Sequence, residues 1–343
     1  MNPGVAAALA AALLFGAGTP AAKLLLAHTG PWLLAALLYL GSGTGLWLVR
    51  RAFGAQAVRP SRGEWGWLAG ATLAGGVVGP VLLMVGLRSM PATAASLLLN
   101  AEGVMTALLA WFVFKENFDR RIALGMLAIA AGAVVLSWPG PGALRMAWGA
   151  LAVLGACLAW AVDNNLTRKV SLTDASFIAM VKGLAAGSTN LALALALGAA
   201  WPSAPTLAGA ALLGFLSYGA SLVLFVVALR HLGTARTGAY FSVAPFFGAL
   251  LGVLVLHEPV STALLAAGAL MALGVWLHLT EHHGHWHTHE ADTHTHEHVH
   301  DAHHRHAHAD GIDPAEPHSH VHAHVPMAHS HAHYPDAHHR HEH

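Results

Sequence analysis

The chain has 343 residues, of which 55% are hydrophobic and only 10% charged, and its formal net charge is zero. Such a chain offers no basic face for nucleic acid, and a single cysteine, Cys157, excludes a disulfide framework and a cysteine-based metal site. A mean hydropathy of +0.54 exceeds what a globular core needs and predicts an all-α membrane protein, since about 20 apolar residues at ~1.5 Å rise cross ~30 Å of hydrocarbon.

Ten spans are expected. The first, residues 5–26, is alanine-rich like a signal peptide but lacks a basic leading region, so it is read as a span. After AHTGP (27–31) come spans at 31–49, 65–87, 91–114 and 122–138. The second holds the flexible GSGTG (41–45), and the fourth carries Asn100 and Glu102 near its middle. Beyond SWPGPGALR (137–145) lie spans at 146–168, 175–200, 206–229, 237–256 and 260–280, with WPSAP (201–205) between the seventh and eighth. The sixth carries Asp163, Asn164 and Asn165 near its end, the seventh Lys182, and the ninth Tyr240. Small-residue spacings such as Gly75/Gly79, Gly183/Gly187 and Gly248/Gly252 are read as close helix approaches.

The spans repeat. GVAAALAAALLFGAGTPAAK (4–23) aligns with GALAVLGACLAWAVDNNLTR (149–168), and ALLAWFVFKE (107–116) with ALLGVLVLHE (249–258). Each half, 4–138 and 149–280, holds five spans. An odd number makes the second half enter the membrane from the opposite side, so the repeat is inverted, an arrangement that belongs to transporters rather than enzymes. Lys and Arg in the short loops set the orientation. With the N-terminus in the cytoplasm, Arg50, Arg51, Arg59, Arg62, Lys115, Arg120, Arg121, Arg168, Lys169, Arg230 and Arg236 lie inside, against Lys23, Arg88 and Arg145 outside. Both termini are therefore expected in the cytoplasm, with the bilayer a bacterial inner membrane.

Two motifs carry a family resemblance. One is an aromatic and small-residue turn in the first helix of each half, FGAGTPAAK (15–23) and WAVDNNLTRK (160–169). The other is an apolar fourth helix ending in Glu, EGVMTALLAWFVFKE (102–116) and APFFGALLGVLVLHE (244–258). Over residues 4–280 the chain resembles EamA-type members of the drug/metabolite transporter superfamily. The resemblance implies a ten-helix secondary transporter without settling its cargo. Two departures fall where such carriers are expected to bind substrate: Gly103 replaces a usual proline that survives as Pro245, and the sixth helix carries an acidic residue, Asp163.

An ionised group at the bilayer centre costs at least ~3 kcal/mol, so each one needs a reason. Glu102 lies close to the midplane, and Asp163 and Lys182 have similar depth on sequence-adjacent helices. Asp163 and Lys182 are either a structural ion pair or part of an ion path. Glu102 is either a protonated, hydrogen-bonded carboxyl or the group that exchanges cargo for a proton. Asn100, Asn164 and Tyr240 complete the candidate substrate or ion site. Glu116 and Glu258 are read as helix-end contacts, and His28, His231, His257 and His278 as interfacial, with His257 a weaker metal-ligand candidate.

Residues 281–343 hold all the remaining histidines of the chain's 28. Interleaved acidic residues and four prolines, with no helical or strand periodicity, predict a disordered tail. In extended chain, H-x-H puts two imidazoles on one side, a spacing suited to Zn, Ni, Co or Cu(II). The candidate metal ligands are His282, His283, His285, His287, His289, His294, His296, His298, His300, His303, His304, His306 and His308. The core is expected to need no cofactor, and the chain to be a monomer or homodimer. Two readings stay open. Either the tail collects Ni, Co or Zn for export against protons, or the core exports an organic metabolite, amino acid or drug while the tail senses metal or pH. A third carboxylate or a histidine converging on Glu102 would favour metal as cargo, and an aromatic-lined cavity an organic one.

Overall fold

The computed structural model describes residues 3–55, 61–113, 120–138, 144–167, 170, 174–232, 237 and 240–280, and in the tail 284–289, 292–298, 318–324 and 327–332. The chain divides into a helical body, residues 1–281, and the tail.

The first half of the body contains α1 (Pro3–Leu25), α2 (Pro31–Ala52), α3 (Arg62–Ala71), a π-helical segment π1 (Thr72–Val78) and α4 (Gly79–Ser89). It continues with α5 (Ala92–Leu98), α6 (Ala101–Phe112) and α7 (Arg120–Ser137). The second half contains α8 (Leu144–Thr167), α9 (Ala175–Ala196), α10 (Ala204–Gly214), π2 (Phe215–Ala220), α11 (Ser221–Leu232), α12 (Ala244–Leu256) and α13 (Thr262–Leu279). Among the described residues, seven helices are long and apolar enough to cross a membrane. Three shorter apolar helices, Ala123–Ser137, Ala244–Leu256 and Thr262–Leu277, occupy the places of the fifth, ninth and tenth expected spans.

The halves interlock by exchange of equivalent partners. α1 packs on α11 and α12, while its counterpart α8 packs on α4 and α6. α2 packs on α10 and α9 on π1, and the like pairs α2·α9 and α7·α13 meet directly. That exchange is what an inverted repeat requires. The α2·α9 crossing depends on glycine, since a Cβ on Gly43 would sit 2.6 Å from the Leu184 nitrogen and one on Gly183 2.8 Å from Gly43. The exposed surface fits lipid. Trp47, Trp65, Trp67 and Trp276 stand exposed near one set of helix ends, and Trp138, Trp148 and Trp201 near the other, as interfacial aromatic belts do.

Two irregularities recur at equivalent places. The third span changes to π-helix at 72–78 and the eighth at 215–220, a shift of about 142 residues that matches the repeat. The fourth span breaks between α5 and α6 at Leu99–Asn100, and the ninth has a turn at Ser242–Val243 before α12. Neither is visible to hydropathy, which averages over both. π-bulges and interrupted helices leave backbone carbonyls free for other partners.

The tail contributes four short described segments. Its described residues form four strands, β1 (Gly284–His289), β2 (Asp292–His298), β3 (His318–His324) and β4 (Met327–Ala332), in two antiparallel pairs, β1·β4 and β2·β3. The period-2 signal was present, but in polar H-x-H alternation rather than in an apolar face. Of the candidate ligands, His282, His283, His300, His303, His304, His306 and His308 lie outside the described residues, as does Glu116.

Candidate functional site

Burial changes sharply along the fourth span. Every residue of α5 is buried, whereas on α6 Glu102 is half-buried, Gly103 is exposed and Leu108 is 38% exposed. On α8 one face stays buried along its length, with Val153, Ala156, Cys157, Ala161 and Asp163, while Trp160 is half-buried and Asn164 is exposed beside Glu102. The body is therefore closed around α5 and more open around Gly103 of α6 and Asn164 of α8.

Glu102 stands in the first turn of α6, just after the break, where the helix dipole favours negative charge. Asn164 of the other half donates through Nδ2 to Glu102 Oε1 at 2.9 Å and to Thr106 Oγ1 at 3.3 Å. Asn165 donates to the Thr106 carbonyl at 3.2 Å and the Ala161 carbonyl at 2.9 Å. The two asparagines thus tie α8 to α6 around a carboxyl that faces the opening. In hydrocarbon an ionised carboxyl beside an exposed amide would be costly, so the opening is read as water-accessible.

Asp163 is buried, 6% exposed. Lys182 Nζ lies 2.5 and 2.6 Å from its two oxygens, and Thr167 Oγ1 donates to Oδ1 at 2.8 Å. The pair neutralises Asp163 and leaves Glu102 as the carboxyl of this cluster without a cationic hydrogen-bond partner among the described residues. Room for Asp163 comes from π1, where a Cβ on Gly75 would fall 1.9 Å from Asp163 Oδ2. The Gly75 carbonyl accepts from Tyr39 Oη at 2.9 Å and Trp160 Nε1 at 2.8 Å, while Asn190 donates to the Gly76 carbonyl at 3.2 Å. By the repeat, the matching contact of the other half is Gly18 against Ser217, with the small residue on the first helix instead.

An aromatic group spans the halves next to these residues. Phe15 meets Tyr218 edge-on with centroids 5.9 Å apart, Tyr218 lies 5.6 Å from Tyr39, and Phe241 lies 5.4 Å from Phe15 and 4.9 Å from Phe225. Tyr39 is within electrostatic reach of both Asp163 and Glu102.

Glu102, Asn164, Asp163 and Lys182 are thus brought into one neighbourhood. Asn100 is turned elsewhere, donating to the Leu97 carbonyl at 2.9 Å and the Met271 sulfur at 3.9 Å. Tyr240 is 36% exposed and makes no hydrogen bond to this cluster among the described residues. Tyr39, Thr106 and Thr167 were not singled out in the sequence, and Gly75 was read there, with Gly79, as a close helix approach rather than as part of the site. Mapping Gly75 onto Ser217 through the repeat was the signal that could have raised it. Among the described residues no group of three or more His, Cys, Asp or Glu side chains is placed to hold a metal ion. His257 ends α12 in the left-handed region.

At the open end Asp174 caps α9, accepting from the Ser176 and Phe177 amides, and meets Arg50 Nη1 at 2.6 Å. Partial burial raises its pKa, but the bonds from Ser176, Arg50 and Phe177 outweigh that and hold the carboxyl down at about 2.

The EamA-like transporter family model matches residues 2–138 and again 147–280. An uncharacterized transporter from Methanothermobacter thermautotrophicus is 28% identical over 287 residues, spanning 78% of this chain and 84% of that protein. A solved crystal structure of a protein superposes with a TM-score of 0.61 at 20% identity, covering 80% of this chain and 94% of the other, a likeness of fold.

Proposed function

The chain belongs to the EamA-like transporter family and is an integral membrane protein, and on that premise we propose that it is a proton-coupled exporter of a small organic solute. Glu102 is the exchange carboxylate in this reading. The observation that carries it is the Glu102–Asn164 bridge at the open end, 2.9 Å long and joining the halves. A carboxyl held by a neutral amide, rather than by a cation, can release its proton when cargo binds and take one up again when cargo leaves. The neighbouring Phe15, Tyr39, Tyr218 and Phe241 supply an apolar, ring-lined wall suited to an organic molecule. The donors for a bare metal ion, by contrast, do not converge on Glu102 among the described residues. The loop charges orient the chain with both termini in the cytoplasm of a bacterial inner membrane. The open end, which bears Arg50, then faces inward, as loading of an exporter requires.

A second reading, metal as cargo, is favoured by one observation in the tail. The β2·β3 register sets His294, His296 and His298 opposite His322, His320 and His318, and β1·β4 sets His285 and His287 opposite His331 and His329. Residues two apart share a strand face, so each pair gathers histidines from both ends of the tail on one face.

The test is uptake into proteoliposomes under a proton gradient, with amino acids, organic amines and nickel ions as separate probes. The first reading expects an organic probe to move and nickel to remain behind. Movement of nickel alone would replace it with the second.

A further inference from the structure

The closed end is fastened by two contacts that join four spans, and neither takes part in the site around Glu102. Glu258, just beyond α12, accepts from the first two amides of α5, with Oε1 2.7 Å from the Ala92 nitrogen and Oε2 2.8 Å from the Thr93 nitrogen. Lys23, at the end of α1, donates to the Met90 carbonyl at 2.7 Å and to the Leu87 carbonyl, both at the α4–α5 corner. Lys23 also lies within reach of the Glu258 charge.

The chain spends conformational strain to bring Glu258 there. His257 has φ of 53°, the sole positive value at a non-glycine among the described residues. L side chains rarely adopt that conformation, and such outliers persist where surrounding contacts impose them. Beneath the contact α12 closes tightly on α5: a Cβ on Gly252 would lie 3.1 Å from the Thr93 nitrogen, and one on Gly248 2.6 Å from the Ser96 side-chain Oγ. The seal and the burial of α5 therefore coincide.

We propose that Glu258 and Lys23 form the latch of the closed gate, which must open for the cargo path to reach the other side. The proposal rests on the alternating-access reading but not on the identity of the cargo. Ordinary helix capping is the competing explanation, and it differs in one respect. A latch couples the two ends, so that breaking it opens the closed end and shuts the open one. A cap affects α5 alone.

The experiment uses the full chain in nanodiscs with Cys157→Ala and single reporter cysteines labelled by a membrane-impermeant maleimide. Ser96→Cys reports the closed end. Its side chain is buried and makes no hydrogen bond among the described residues, so the exchange is mild. Gly103→Cys reports the open end, where an added Cβ meets nothing within 4 Å. Glu258→Gln keeps the shape but replaces one acceptor with a donor facing an amide. Labelling at position 96 should rise roughly tenfold, the effect of losing a charge-assisted hydrogen bond, while labelling at 103 falls. Lys23→Met breaks the other half of the fastening and should produce the same opposed changes, so the proposal stays testable should Glu258→Gln fold poorly. Faster labelling at 96 with no change at 103 would reduce Glu258 to a cap. Unchanged labelling at both positions in both variants would remove the latch altogether.

Discussion

Gly75 shows how one missing methyl shapes the site. A Cβ there would overlap the Asp163 carboxylate at 1.9 Å, and Lys182 already holds that carboxylate from the other side. Gly75→Ala should destabilise the folded chain by about 1–3 kcal/mol, the range for forcing atoms into a packed interior. Gly18→Ala, at the equivalent contact with Ser217, meets its nearest atoms at 3.2 Å and should cost less. Thermal unfolding of both variants in nanodiscs checks the order, and equal effects would contradict the packing described here. Asp174 offers a second residue-level test, in pH. Its folded pKa of about 2 lies below the ordinary value of 3.8, so its contribution is complete above about 3.8 and is lost as pH falls through 2. The stability gap between the native chain and Asp174→Asn should persist at pH 4 and close toward pH 2. The gap should be small, below ~1 kcal/mol, because the side chain is 39% exposed.

At the scale of elements, the spans were legible because long apolar runs with few charges admit little else. The neighbourhood of Asp163 and Lys182 was legible too, from equal depth on sequence-adjacent helices. What stayed hidden depends on hydrogen-bond register or on packing between halves. π1 and π2 arise from backbone pairing that hydropathy does not register, yet π1 frees the Gly75 carbonyl for Tyr39 and Trp160. The Glu102–Asn164 bridge spans 62 positions and needed the packing of α6 on α8. The Glu258 contact with α5 reaches across 166. In the tail, alternation was present but lacked the apolar face by which strands are usually recognised. Its elements make their own prediction. The full chain should bind several Ni or Zn ions, and a chain ending at Thr280 should lose most of them. Affinity should fall below about pH 6, since protonated imidazole cannot coordinate. Calorimetry giving equal stoichiometry with and without the tail would exclude this role.

For the whole molecule, the two halves meet by exchange of equivalent partners. Sealed α5 and open α6 are the two ends of a single span, and the repeat supplies a counterpart for each in the other half. Glu102 breaks that symmetry, because its counterpart 142 residues on is Ala244. Among the described residues Glu102 is the carboxyl of this cluster that no cation bonds, which gives one exchange point. The central claim is that this carboxyl couples protons to cargo. The most direct measurement is flux in proteoliposomes driven by a proton gradient, comparing the native chain, Glu102→Gln and the chain ending at Thr280. Gln keeps the shape and can still bond Asn164, and a neutral amide is cheaper than a carboxylate at this depth, so folding should survive. Gradient-driven flux should collapse in Glu102→Gln and persist in the truncated chain. Native flux in Glu102→Gln would contradict the account and move the exchange to another group, with Asp163 the next to test.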